Sequence, residues 1–217
     1  MRSGPRKPSI IVTAGPTREK IDPVRFLSNY STGTFGYEIA KAAKAAGNRV
    51  ILISGPTAIE PPEGVKFIGV ESALEMRKAV LKEFKKAGCL IMAAAVSDWR
   101  VVKIARQKIR RARGRKRIEL IANPDILAEA GRVKGSRVLV GFALETENLE
   151  TNALRKLLDK KIDLVIANRH NRRREAFGDN KTTVVMIDRY GNRRVLRNKT
   201  KQELAKIILD RALSINI

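Results

Sequence analysis

Cys89-Leu90-Ile91-Met92-Ala93-Ala94-Ala95-Val96 is an unbroken apolar run of eight residues. Strict alternation would mark a strand with one wet face. An unbroken run marks a strand covered on both faces, which is the habit of parallel sheets. Upstream, Ile10–Ala14 (IIVTA) reads the same way. Between the two runs the period changes. Gly36–Ala46 is alanine-rich with apolar residues at helical spacing, and Gly47-Asn48 stops it. Arg49–Ser54 is a strand ended by Gly55-Pro56, and Val65–Val70 is another. Ser72 with Glu75 gives the S-x-x-E capping box of the next helix.

Downstream the alternation is interrupted and then resumes. Residues 106–117 read RQKIRRARGRKR, eight of the twelve basic, with a small strand following at Ile118–Ile121. Asn123-Pro124-Asp125 has the form of a helix start, Asn123 as cap and Pro124 in the first helical position. Arg137–Ala143 and Asp163–Ala167 are strands around a helix at Glu147–Lys161, and a polar loop covers Arg169–Asp179. Thr182–Asp188 and Arg193–Leu196 flank a hairpin turn, and a helix over Lys201–Leu213 follows. The pattern predicts one α/β domain: a mostly parallel sheet with helices on both faces and a C-terminal antiparallel hairpin. Ligands in such folds bind at the carboxyl ends of the strands.

Composition narrows the class. At 217 residues and 43% apolar content the chain can bury a substantial core. No run approaches the ~20 apolar residues of a membrane helix, and no secretory h-region is visible near the start, so a cytoplasmic protein is expected. One cysteine, Cys89, and one histidine, His170, leave no disulfide framework and no Cys/His zinc site. Cys89 reads as core and His170 as a surface residue. Lys and Arg number 45 against 22 Asp and Glu, a net charge of +23. That suits nucleic acid, a multiply phosphorylated substrate, or neither.

Thr13–Gly36 is a long connection between elements and ends in Ser31-Thr32-Gly33-Thr34-Phe35-Gly36. Small residues and hydroxyls at a helix start suit either a phosphate or an ordinary cap. No Lys-Ser/Thr follows, so it is not a P-loop. The alanines before Asp98 allow a ligand close to the backbone. Asp98 itself could hold a ribose hydroxyl or a metal, or simply turn the chain. The basic tract is a solvated loop, a nucleic-acid patch, or a flap closing on a triphosphate. It carries no aromatic for base stacking.

Together these segments resemble the phosphopantothenate–cysteine ligases, in many bacteria the C-terminal half of a bifunctional protein. The resemblance runs from Ile10 to the last helix. It rests on Thr13–Glu19, Asp22–Asn29, Ser31–Gly36, Ala93–Arg100 (the family's AAVADYR stretch), Lys108–Arg111 (its KIKK flap), Asn123–Ile126, Gly141–Thr146, Asp163–Asn168 and Ala176–Asn180. It implies a Rossmann-like fold over residues 1–217 with a basic flap at about 103–117, and a homodimer. The implied reaction joins 4′-phosphopantothenate to L-cysteine. CTP activates the pantothenate carboxylate as an acyl-cytidylate, releasing pyrophosphate, and the cysteine amine displaces CMP.

The resemblance also implies roles. Asn29 and Arg25 would act at the acyl group and Lys108 at the phosphate. Met92, Ala93, Ala94, Asp98, Asn123, Pro124, Asp125, Ile126, Phe142, Lys156 and Lys160 would hold the nucleotide with Lys108. Ser31, Thr32, Gly33 and Gly36 would hold the substrate phosphate. Mg2+ is expected with CTP, its ligands unknown. Thr34 stands where many members carry Lys, and Arg110 and Arg111 replace lysines. A stand-alone form with a separate decarboxylase partner is expected, with no membrane and no specific nucleic acid. Two rival readings are a basic nucleic-acid-binding protein on the same scaffold and a nicotinamide-dependent oxidoreductase.

Overall fold

The computed structural model describes residues 9–111, 114, 116–169 and 181–215. β1 (Ile10–Ala14) begins the main sheet, and β2 (Arg18–Lys20) and β3 (Phe26–Ser28) pair as a ribbon outside it. There follow α1 (Thr34–Ala45), β4 (Val50–Ser54), β5 (Lys66–Gly69), α2 (Ala73–Phe84) and β6 (Cys89–Met92). A second ribbon, β7 (Trp99–Val101) with β8 (Leu120–Ala122), precedes α3 (Ile126–Val133), β9 (Val138–Glu145), α4 (Leu149–Asp159) and β10 (Leu164–Arg169). The last elements are β11 (Thr182–Asp188), β12 (Arg193–Lys199) and α5 (Lys201–Ser214).

The main sheet has eight strands in the order β12-β11-β10-β9-β6-β1-β4-β5. From β10 to β5 every pair is parallel, while β11 and β12 are antiparallel. β6 lies between β1 and β9, the central place its apolar run implies. Alternation along each strand divides the core. Ile10, Val12, Leu52, Ile91, Val140 and Ile166 pack under α1 and α5. Ile11, Ile53, Leu90, Leu139 and Val165 pack under α2, α3 and α4. Both faces are covered, giving the expected α/β Rossmann-like three-layer fold. No helix among the described residues is long and apolar enough to cross a membrane.

Local departures have local causes. β6 ends at Met92, because the next amides find partners outside the sheet: Ala94 donates to the Thr13 hydroxyl at 3.1 Å and Ala95 to the Gly15 carbonyl at 2.9 Å. The cap of α3 is Asp125, which accepts from the Ala128 amide at 2.9 Å. Asn123 does not cap; its amide donates to the Ser97 carbonyl at 2.9 Å. Ser72 caps α2, but the Glu75 carboxylate turns to the Glu71 amide, so only half of the predicted box forms. The reciprocal box stands at Thr200–Glu203. Cys89 is core, its thiol pushed up to about 12 by burial and the Asp163 charge. His170, most of the 169–179 loop and the Ala176–Asn180 motif lie outside the described residues.

Candidate active site

The carboxyl ends of β1, β6 and β9 converge on one end of the sheet. Thr13, the buried fourth residue of β1, places its hydroxyl between the Met92 sulfur and the Ala94 amide. The chain past β6 is therefore held in a fixed turn. Ala95 bridges to Pro16, and its carbonyl accepts the Thr17 amide at 3.2 Å and the Asn29 side-chain amide at 3.1 Å. Asn29 is thus fixed one residue beyond Ala94. Ser97 donates its amide to the Thr17 hydroxyl at 2.9 Å.

Under this turn lies a cavity of about 510 Å³. It is lined by Met92, Ala94, Asp98, Asn123, Pro124, Asp125, Ile126, Phe142, Lys156 and Lys160, ten of the twelve residues expected at the nucleotide. Ala93 packs instead against the α1–α5 core. Lys108 is exposed and does not line the cavity. Trp99 and Ser97 also line it. Asn123 is doubly tied, its side-chain oxygen accepting from Arg100 at 3.2 Å.

The cavity is cationic at one end. Lys156 is half-buried and donates to the Phe142 carbonyl at 2.6 Å. Burial, and then the neighbouring Lys160, lower its pKa. Lys160 pairs with Asp125 at 2.8 Å. Burial alone would raise the Asp125 carboxyl, but the Lys160 ion pair and the Ala128 amide outweigh it and hold it down. Asp98 is exposed at the rim. No group of three or more His, Cys, Asp and Glu among the described residues is arranged as a metal cage.

Phe35 meets Phe142 edge-on, ring centroids 5.0 Å apart, so the start of α1 packs against one wall residue of the cavity. Gly33 takes a left-handed φ of 84° at the helix start, and its amide donates to the Ser31 hydroxyl at 3.2 Å. The Thr32 and Thr34 hydroxyls are 2.9 Å apart. Gly36 has a packing reason of its own: a Cβ there would fall 2.5 Å from the Ala14 Cβ. Its lack of a side chain lets α1 rest on β1.

Arg25 is drawn to the β2–β3 turn by Asp22, with Nε donating at 3.0 Å. The flap passes over that turn, and the Ile109 amide reaches the same carboxylate at 3.0 Å. Sequence reasoning assigned no part to Asp22, Thr13 or Ser97. The Asp-Pro of Asp22-Pro23 was the visible signal for an Asx turn.

Comparison with known proteins settles the kinship. A family model described as DNA/pantothenate metabolism flavoprotein C-terminal domain matches residues 6–215. The chain belongs to that family. Among its relatives in this family, the coenzyme A biosynthesis bifunctional protein CoaBC of Bacillus subtilis (strain 168) is 40% identical over 208 residues, covering 95% of this chain and 51% of the relative. The chain therefore spans about half the length of the curated relatives it matches. The crystal structure of the C-terminal domain of CoaBC superposes with a TM-score of 0.81 at 39% identity, covering 95% of this chain and 94% of that one. A Cab2 variant in complex with phosphopantothenate-cysteine shares the fold, with a TM-score of 0.80 at 19% identity and coverage of 97% and 87%. The nucleic-acid-binding reading, drawn from charge alone, finds no support among these kin of the flavoprotein C-terminal domain family.

Proposed function

We propose that this chain is a phosphopantothenate–cysteine ligase of coenzyme A biosynthesis, using CTP, with ATP the alternative donor. The observation that carries the reading is the cavity at the ends of β6 and β9, where ten of the twelve expected nucleotide residues meet. Kinship to CoaBC supports it.

The chemistry asks for charge control. A carboxylate oxygen of 4′-phosphopantothenate attacks the α-phosphorus of CTP, the bond to the β-phosphate oxygen breaks, and pyrophosphate leaves with its electron pair. Two anions must approach. A cation placed where negative charge grows in the transition state is worth ~10²- to 10³-fold in rate. Lys156 and Lys160 supply cations at the cavity, and Lys108 supplies one from the flap as negative charge grows on the phosphorus. Asn29, fixed by Ala95, would orient the acyl group. The cysteine amine then attacks the acyl carbon, loses its proton to solvent, and CMP departs. Asp98 is the carboxylate suited to Mg2+ carried in by the triphosphate, since such ions take one or two carboxylates plus phosphate oxygens. Bound there, the ion would neutralise phosphate charge. Ser31, Thr32, Gly33 and Gly36 at the start of α1 would receive the substrate's phosphate.

The active form is a homodimer in this reading. The exposed apolar side chains Val24, Phe26, Trp99, Val102, Leu120 and Ile121 all lie on or beside the two ribbons, whose contiguity suits a second copy. The C-terminal hairpin is a poor alternative, because β12 presents Arg194 and Arg197 outward and self-pairing would align like charges. A decarboxylase would take the product.

Mass-spectrometric detection of 4′-phosphopantothenoylcysteine tests the reading. Product should form only when 4′-phosphopantothenate, cysteine and nucleotide are all present, faster with CTP than with ATP. No product with either nucleotide would refute it.

A further inference from the structure

The flap that carries Lys108 is basic along its length, so repulsion among like charges does not by itself select one position. One carboxylate answers that problem. Asp22 is buried in the turn between β2 and β3. Its Oδ1 accepts the amides of Val24 at 2.8 Å and Arg25 at 2.9 Å, which closes the turn. Its Oδ2 accepts Arg25 Nε at 3.0 Å and, from the flap, the Ile109 amide at 3.0 Å. Arg25 Nη2 contacts the same carboxylate and also donates to the Ile109 carbonyl at 2.7 Å. A second tie joins the Ala105 amide to the Ile21 carbonyl at 3.0 Å. Residue 109, immediately after Lys108, is therefore gripped through both its amide and its carbonyl.

We propose that Asp22 is a positioning residue for the ligase reaction: its carboxylate, directly and through Arg25, latches the flap at Ile109 and so sets the place of Lys108. The inference rests on the ligase reading above. Its physical core is the charge of the turn. With Asp22 ionised, the Asp22–Arg25 pair is neutral and holds the flap by hydrogen bonds to Ile109. With Asp22 neutral, Arg25 is one more cation facing Lys108, Arg110 and Arg111, and the turn repels it. The Arg25 pair and three amides hold the carboxyl well below the usual carboxylate range.

Asp22→Asn separates the latch from the turn. Asparagine keeps an oxygen for Val24 and Arg25, but its NH₂ faces the Ile109 amide and no charge holds the guanidinium. Limited trypsin digestion of the whole, ligand-free protein should cut after Lys108, Arg110 and Arg111 about tenfold faster or more in the variant, with cuts elsewhere in the chain rising far less, even though loss of a carboxylate held below its ordinary range lowers the melting temperature. Ala105→Pro, which removes only the second tie, should also speed these cuts and serves if Asp22→Asn fails to fold. In pyrophosphate release, Asp22→Asn should lower kcat far more than it raises KM for CTP. Asp22→Asn combined with Lys108→Gln should be no slower than Lys108→Gln alone, because the two act as one unit. Cleavage at the wild-type rate in Asp22→Asn, or rate losses that multiply in the double variant, would overturn the proposal. A wild-type protein without nucleotide-dependent pyrophosphate release would instead overturn the ligase reading and this role with it, while the digestion would still decide whether the latch exists.

Discussion

The Lys156 ammonium donates to the carbonyl of Phe142 at 2.6 Å, which sets a half-buried cation into the wall of the cavity at the ends of β6 and β9. Burial and the nearby Lys160 both disfavour that charge in the free protein. Sites that hold a ligand commonly carry such a cost until the ligand arrives. Lys156→Met should therefore leave the melting temperature of the free protein unchanged or raised, while the thermal shift produced by CTP shrinks. Loss of stability with an undiminished CTP shift would make Lys156 a structural residue.

Lys108 is predicted to matter by position and not by charge alone. Lys108→Gln should slow cysteine-independent pyrophosphate release by ~10²- to 10³-fold, the usual loss for one transition-state donor. Lys116→Gln, which removes an equal charge from the same tract, should stay within a few-fold of wild type. Matching rates for the two variants would make the flap an interchangeable cloud of charge.

Glu203 gives the sharpest acid-stability prediction. Lys199 at 2.9 Å and the Thr200 amide at 2.8 Å lower its carboxyl from an ordinary 4.5 to about 2. A lowered carboxyl contributes stability above its unfolded value and loses it as pH falls through the folded one. Glu203→Gln should therefore be less stable than wild type to urea at neutral pH. The gap should narrow below pH 4.5 and close near pH 2. A gap independent of pH would assign the effect to helix packing.

The dimer has a direct check. Light scattering at micromolar concentration should report twice the chain mass, and Leu120→Glu, on the exposed face of the second ribbon, should halve it. A wild-type monomer, or a dimer untouched by Leu120→Glu, would contradict the assignment of that face.

Much of this architecture was legible because its signals are local. Unbroken apolar runs gave the buried parallel strands, and Gly47-Asn48 and Gly55-Pro56 gave their punctuation. The two ribbons were only partly legible. The small strand expected at Ile118–Ile121 overlaps β8, but its partner Trp99–Val101 lies far earlier in the chain, and Arg18–Lys20 is wholly charged and pairs with Phe26–Ser28 across a short turn. Caps failed where a side chain had two partners in reach: Asn123 chose Ser97, and Glu75 chose Glu71. The cavity residues were found by resemblance to a family. The hydroxyl of Thr13 and the carboxylate of Asp22 were missed because their partners, Ala94 and Ile109, lie far along the chain.

The proposed ligase activates a carboxylate by nucleotidyl transfer before any amine is involved. Pyrophosphate measured over the first turnover, with CTP and 4′-phosphopantothenate but no cysteine, tests it most directly. The expected result is a burst of about one pyrophosphate per active site, no CMP released with it, and a prompt discharge of CMP when cysteine is added. Pyrophosphate that appears only after cysteine is added, or that forms equally without 4′-phosphopantothenate, would contradict it.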